Sequence, residues 1–261
     1  MRGLVAELRA DLLETATRVV GEDPFPRAED GTKFAQPAIF CASLAGWKAL
    51  GEPDGDYMAG HSLGELAALV AAGALDERDG LALVALRGGL MQEAGEVAGD
   101  GGMLALMGDG AAEQATELAD KHGLAVANDN APQQVVLSGA RDALPGAAAS
   151  AKELGLRARE LPVTGAFHSP MMASAVPEFS AALARVEVTT PRVPVLSAVT
   201  AAPFEDVRAQ LAQALTMPVR WRETVLALHE LGVDRFVEVG PGRVLTGLVK
   251  RTVKDVELVH A

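Results

Sequence analysis

Of 261 residues only one is cysteine, Cys41, which excludes an internal disulfide and any multi-thiolate metal site. No apolar run approaches the roughly 18 to 20 residues that a membrane span needs. With 22% charged and 49% hydrophobic residues, the composition also fails to match a disordered chain. A positive balance is missing too. Lys plus Arg number 23 against 35 Asp plus Glu, a net charge of −12, which argues against nucleic acid or an anionic membrane as partner. The N-terminus reads as an acidic amphipathic stretch and not as a signal peptide, so a cytoplasmic location is expected. What remains is enough apolar material for a sizeable core, in one large domain or one domain with a smaller insert.

Leu4, Leu8, Leu12 and Val19 recur at helical spacing and predict an opening helix over residues 4–20. A second helix is expected over 37–50, ahead of the turn-forming run 51–55. A short strand over 57–60 then leads to helices over 63–72 and 77–94. Residues 101–162 read differently: strand at 103–107, helix at 111–122, strands at 124–128 and 134–138, helix at 143–154 and strand at 157–161. This strand-helix-strand-strand-helix-strand order is that of the ferredoxin-like split unit, so residues 100–163 are expected to form a small inserted subdomain. Helix and strand then alternate to the end of the chain. The expected class is therefore α/β, with residues 1–99 and 164–261 forming a large domain around a mostly parallel sheet.

Gly60-His61-Ser62-Leu63-Gly64 fits G-x-S-x-G, set between a short strand and a strong helix as a nucleophile elbow requires. The glycines let the backbone turn tightly, and the N–H of Leu63 would face a developing oxyanion. The competing explanation is a capping box between Ser62 and Glu65. A nucleophilic serine needs a base. His61 is poorly directed for that task, because adjacent residues at a helix start diverge. His122 and His229 fall in helices and His260 near the end, whereas His168 lies in a loop-like stretch before a helix and suits a cleft. Arg87 has Leu83, Val84, Leu90 and Met91 as its helical neighbours, so its guanidinium rises from an apolar stripe. Its partner is a protein carboxylate or an acidic substrate, with snorkelling to the surface as a third possibility. Gly240-Pro241-Gly242 breaks both nucleotide-loop patterns at Arg243-Val244-Leu245. Asn128, Asn130 and Gln134 are best explained by turn chemistry.

Together these stretches resemble the malonyl-CoA:acyl carrier protein transacylase family. The likeness runs through Gly60 to Glu65, Leu86-Arg87-Gly88, Met91 to Ala94, Asn128 to Gln134, Ala166 to Pro170, Pro218 to Trp221 and Glu238 to Leu248. The family implies a hydrolase-like α/β domain carrying a ferredoxin-like insert, with no cofactor and no metal. It implies that Ser62 attacks the thioester of malonyl-CoA with His168 as base, and that the phosphopantetheine thiol of an acyl carrier protein then takes the malonyl group. It sets Arg87 against the free malonyl carboxylate, Phe167 where a bulky aromatic excludes branched extender units, and His61 beside the substrate. A monomer is expected.

Two departures accompany the resemblance. The family opens with a strand and a Gly-Gln-Gly-Ser-Gln loop whose glutamine lines the oxyanion hole, so that first strand is expected to be missing here, by a misplaced start or, next, by a true truncation. Ala214 stands where the family often has glutamine, but there the backbone carbonyl orients the histidine. A serine esterase is the enzymatic alternative, although no acid stands out and Arg87 would lack a task. An inactive homologue that only binds carrier protein is the other. Arg220, Arg222, Arg243, Lys250 and Arg251 are candidates for a basic docking patch.

Overall fold

The computed structural model describes residues 1–260. Helix α1 (Arg2–Leu8) stops at Arg9 and α2 (Ala10–Val20) restarts beyond it, so the single helix expected over 4–20 is two. At Arg9 the backbone leaves the helical region (φ −142°, ψ 53°), and its guanidinium reaches across to Glu77 (2.7 Å) as well as to Asp11. Helix α3 (Thr32–Ala49) begins earlier than expected and runs through Pro37. Burial of Phe34, Ala38, Phe40, Leu44 and Ala45 in the main core outweighs the hydrogen bond that proline removes.

After β1 (Met58–Ala59) come α4 (Gly64–Ala71) and the long α5 (Glu77–Ala98). Asp76 caps α5, its carboxylate accepting from the amides of Arg78 and Asp79. The buried residues of α5 include Leu83, Val84, Arg87, Leu90, Met91 and Ala94, the stripe read from the sequence.

The next six elements are β2 (Gly101–Met107), α6 (Ala111–His122), β3 (Ala125–Ala131), β4 (Gln134–Ala140), α7 (Leu144–Glu153) and β5 (Arg157–Glu160). Their strands form one antiparallel sheet in the order β3-β4-β2-β5. Leu118, Leu144 and Ala147 of the two helices pack against Leu104, Leu106, Val135 and Leu137 on one face. Met103, Ala105, Ala127 and Val136 form the other face, where Phe167 packs from the following segment.

The chain continues through α8 (Val176–Leu183), β6 (Val195–Ser197), β7 (Ala202–Pro203), α9 (Val207–Gln213), α10 (Trp221–Glu230), β8 (Arg235–Glu238), α11 (Val244–Thr252) and β9 (Glu257–His260). A single mostly parallel sheet does not form from these strands. β1 pairs parallel with β6 and β6 antiparallel with β7, while β8 and β9 make a separate parallel pair. β1 has two residues and hydrogen-bonds on one side only, yet Ala59 packs into the same apolar cluster as Phe236 and Leu258. The two pieces thus share a core without sharing a ladder. The antiparallel sheet is stitched to the rest at Val219: its N–H donates to Ala127 O and its carbonyl accepts from the Asp129 amide, both at 2.9 Å. Among the described residues no helix is long and apolar enough to cross a membrane.

Candidate active site

The turn between β1 and α4 places Ser62 at φ 54°, a left-handed conformation that a side chain adopts only when its surroundings impose it. Gly60 makes this possible, because a Cβ there would overlap the Gly64 carbonyl. The amides of Gly64, Glu65 and Leu66 donate to His61, Ser62 and Leu63 carbonyls. Among the described residues the Leu63 N–H has no acceptor, and it heads α4.

His168, also at positive φ (57°), comes from the segment before α8. Its Nδ1 faces the Ala214 carbonyl at 2.8 Å, at the end of α9. A carbonyl only accepts, so Nδ1 carries the proton and Nε2 offers its lone pair. The Ser62 hydroxyl donates to that Nε2 at 2.8 Å. Ala214 therefore serves through its backbone, and its methyl side chain costs nothing. Burial, then the charge of Arg87, pushes the His168 pKa down to about 3, so the imidazole is neutral and its Nε2 accepts from the serine.

Arg87 is 3% exposed. Its Nη1 donates to Gln36 Oε1 at 2.8 Å and its Nη2 to Ser62 Oγ at 3.0 Å. No carboxylate among the described residues forms an ion pair with it. Burial lowers its pKa to about 10, with Glu65 pulling the other way, and it stays cationic at neutral pH. Of the three possibilities left open by the sequence, snorkelling and a protein carboxylate contact are both absent. A buried guanidinium beside the serine is left with neutral hydrogen-bond partners only.

His61 Nε2 donates to Asn130 Oδ1 at 2.8 Å, and its ring lies against Trp221 with centroids 5.7 Å apart. Burial lowers its pKa and keeps it neutral. Asn128 and Asn130 are not turn residues: both are buried in β3, whose register shifts after Val126 and again after Asp129. Such bulges re-aim side chains, here that of Asn130 toward His61 in the serine turn. Phe167, half-buried beside His168, packs between the main core and the antiparallel sheet. The capping box does not form. Ser62 makes no cap bond, and Glu65 Oε1 accepts from the Ala198 amide at 2.7 Å.

Two expectations change. Gln36, silent in the sequence reading, is a partner of Arg87; its one signal was a glutamine inside an apolar helical run. Most of the candidate basic patch is occupied by partners within the chain, with Arg220 on Glu223, Arg222 on Asp129 (2.7 Å), Arg251 on Gln134 (2.7 Å) and Arg243 on His260.

The arrangement has a match among known proteins. The sequence profile of the acyl transferase domain family covers residues 15–261. The chain belongs to the malonyl-CoA:acyl carrier protein transacylase family of acyltransferases. It is 36% identical over 274 residues to the malonyl CoA-acyl carrier protein transacylase of Salmonella typhimurium, covering 96% of this chain and 88% of that one. It is 42% identical to the polyketide biosynthesis protein ThaF of Burkholderia thailandensis over 84% of this chain, which spans 19% of that protein. The transacylase structure from Clostridium perfringens superposes with a TM-score of 0.90 at 32% identity, over 98% of this chain and 85% of that one. A malonyl-transacylase solved in complex with a type II polyketide acyl-carrier protein gives 0.87 at 34% identity, over 99% and 88%. In this chain a hydroxyl (Ser62), a neutral imidazole (His168) and a buried guanidinium (Arg87) converge on one oxygen.

Proposed function

We propose that Ser62 and His168 are the catalytic pair through which this chain moves a malonyl group from malonyl-CoA to the phosphopantetheine thiol of an acyl carrier protein. The observation that carries the reading is the shared oxygen. Ser62 Oγ donates to a neutral imidazole and accepts from a buried guanidinium that has no carboxylate of its own. Oγ attacks the thioester carbonyl carbon while its proton passes to His168 Nε2. The oxyanion is held by the Leu63 N–H and, as the tetrahedral species collapses, the C–S bond breaks and the coenzyme A sulfur takes the proton back from His168. The carrier thiol then repeats the sequence in reverse: it gives its proton to His168, attacks the malonyl-serine carbonyl, and Ser62 leaves with the proton. Arg87 receives the free carboxylate of the malonyl group and so selects it over acetyl. Phe167 narrows the site beside His168, and His61, fixed by Asn130 and Trp221, lines the acyl side. A serine esterase reading is disfavoured because Nδ1 of His168 rests on a backbone carbonyl and not on an acid.

Residues 100–163 fit an inserted ferredoxin-like subdomain on a large domain formed by 1–99 and 164–261. The division of the parallel strands into β1-β6 and β8-β9 is what a hydrolase-like sheet with one strand absent between β1 and β8 would give. The cytoplasm, expected from the sequence, is the compartment we assign to the reaction.

The experiment is intact-protein mass spectrometry after mixing with malonyl-CoA, with Ser62→Ala as control. A malonyl adduct on the native chain that is lost in Ser62→Ala and discharged by holo carrier protein is the expected result. An adduct that persists in Ser62→Ala would overturn the assignment of the nucleophile.

A further inference from the structure

Glu65 is the one acidic side chain among the described residues that is fully buried, at 1% exposure, and the transfer chemistry leaves it unused. It sits in the first turn of α4, three residues after the nucleophile. Its Oε1 accepts from the amide of Ala198, just beyond β6, and the Ser197 hydroxyl lies beside the same carboxylate. The Ala198 carbonyl in turn accepts from the Arg220 amide at 2.8 Å. Arg220 opens α10, whose Trp221 lies against the ring of His61. The carboxylate therefore fastens the turn behind Ser62 to the strand end on which another wall of the site hangs.

The charges that face Glu65 are few. From α5 it is Arg87. β6 and the residue after it present Ser197 and Ala198, which are uncharged, and α4 has no other titratable side chain. His61, in the turn itself, is kept neutral by burial. Burial raises the Glu65 carboxyl to about 7 against the opposing pull of the Ala198 amide and Arg87, so its charge changes across neutrality.

We propose that Glu65 is a positioning residue of the acyl site, anchoring the Ser62 turn to Ala198 and setting the charge against which Arg87 receives the carboxylate of the substrate. The proposal rests on the assignment of Arg87 to that carboxylate. An ionised Glu65 competes with the malonyl carboxylate for the field of Arg87, and a neutral one does not. Malonyl loading thus favours the protonated form and takes up a proton near neutrality, while acetyl loading does neither.

The test is the ratio of kcat/KM for malonyl-CoA to that for acetyl-CoA, followed between about pH 6 and about pH 8, around the unit-scale shifts at issue. Titration of the coenzyme's phosphates acts on both donors and cancels in the ratio, and His168 stays neutral throughout this range. In the native protein the ratio is expected to fall by roughly three- to tenfold as pH rises, a change of one pKa unit or less in coupling. Glu65→Gln keeps an acceptor for Ala198 and removes the charge; its ratio is expected to be flat across this range. Glu65→Leu removes the acceptor as well and should slow both donors. A pH slope that survives in Glu65→Gln would overturn the proposal. Proton uptake by the native protein on malonyl loading, read with an indicator dye against acetyl loading, needs no variant, and equal uptake with the two donors would also overturn it. If instead Arg87→Ala keeps the native ratio at every pH, the assignment of Arg87 fails, and that outcome is separate from the first.

Discussion

Arg87→Ala separates binding of the substrate carboxylate from activation of the serine. The guanidinium is 3% exposed, makes neutral hydrogen bonds to Gln36 (2.8 Å) and Ser62 (3.0 Å), and has no carboxylate contact. A malonyl carboxylate bound there would be a buried, charge-assisted pair, and removing one member of such a pair costs about 3 to 5 kcal/mol. Water entering the space left by the side chain moves the figure to the lower end, about 3 kcal/mol, or roughly a hundredfold in kcat/KM for malonyl-CoA. Acetyl-CoA has no carboxylate and loses only the bond from Nη2 to Oγ, about 1 kcal/mol, or roughly fivefold. The malonyl-to-acetyl ratio should therefore drop by about twentyfold by the same figures. Rapid-quench intact-mass measurement of acyl-Ser62 formation from each donor gives both rates. Arg87→Lys should recover little, because an ammonium cannot hold Gln36 and a carboxylate with one planar fork. Gln36→Leu should produce a milder form of the same phenotype, with malonyl loading down by about fivefold as Nη1 loses its acceptor. If Arg87→Ala slows both donors equally, the residue acts on Ser62 alone and its role as anion receptor is wrong.

Gly95→Ala should disturb the site from a distance, since its Cβ would sit 2.9 Å from the Thr164 carbonyl and 3.0 Å from Gly165 Cα, in the segment that carries Phe167 and His168. Slower acylation from both donors with a small loss of thermal stability is expected, and native acylation kinetics in the variant would show that this packing does not set the histidine. The pH dependence follows from His168. Its folded pKa, about 3, lies below the ordinary imidazole value of 6.5, so kcat/KM with acetyl-CoA should hold well below pH 6.5, where an ordinary imidazole would already be lost. The same depression means that the unfolded chain takes a proton the folded chain refuses below pH 6.5. Stability should then fall as pH drops from about 6.5 toward 3, and His168→Gln should remove that part of the slope in thermal melts.

The sequence exposed those parts of the site whose reason is local. Ser62 was legible because a turn this tight needs Gly60, Arg87 because a charge on an apolar helical stripe is conspicuous, and His168 because a loop before a helix is where a cleft residue sits. Their partners were hidden for the opposite reason. Gln36 lies 51 residues from Arg87, Asn130 lies 69 from His61 and Ala198 lies 133 from Glu65, and no periodicity carries information over such separations. The same distance effect produced the errors in the fold. The break at Arg9 coincides with a contact to Glu77, 68 residues away, and the count of strands said nothing of how they would divide into sheets. At 101–160 the individual strands and helices were legible from local periodicity, but only β3 and β4 pair as neighbours in sequence; β2 reaches β4 and β5 across intervening elements, and that pairing has no local signal.

On the proposed roles of Ser62, His168 and Arg87, the geometry around Ser62 Oγ would let one guanidinium serve two stages without a conformational change of the backbone. Before acylation Oγ shares its proton with His168 Nε2, which makes it a good acceptor for the Arg87 Nη2, and that bond lowers the cost of moving the proton to the imidazole. Once the acyl bond forms, Oγ is an ester oxygen and a poor acceptor. Nη2 is then released while Nη1 stays fixed on Gln36, and the carboxylate of a malonyl group is the strongest acceptor available to it. An acetyl group offers none, so the acetyl-enzyme leaves a buried donor unpaired where the malonyl-enzyme satisfies it. Selection is thereby written into the intermediate as well as into binding, and it requires a guanidinium held on one side and free on the other, which is the state in which Gln36 and Ser62 leave Arg87.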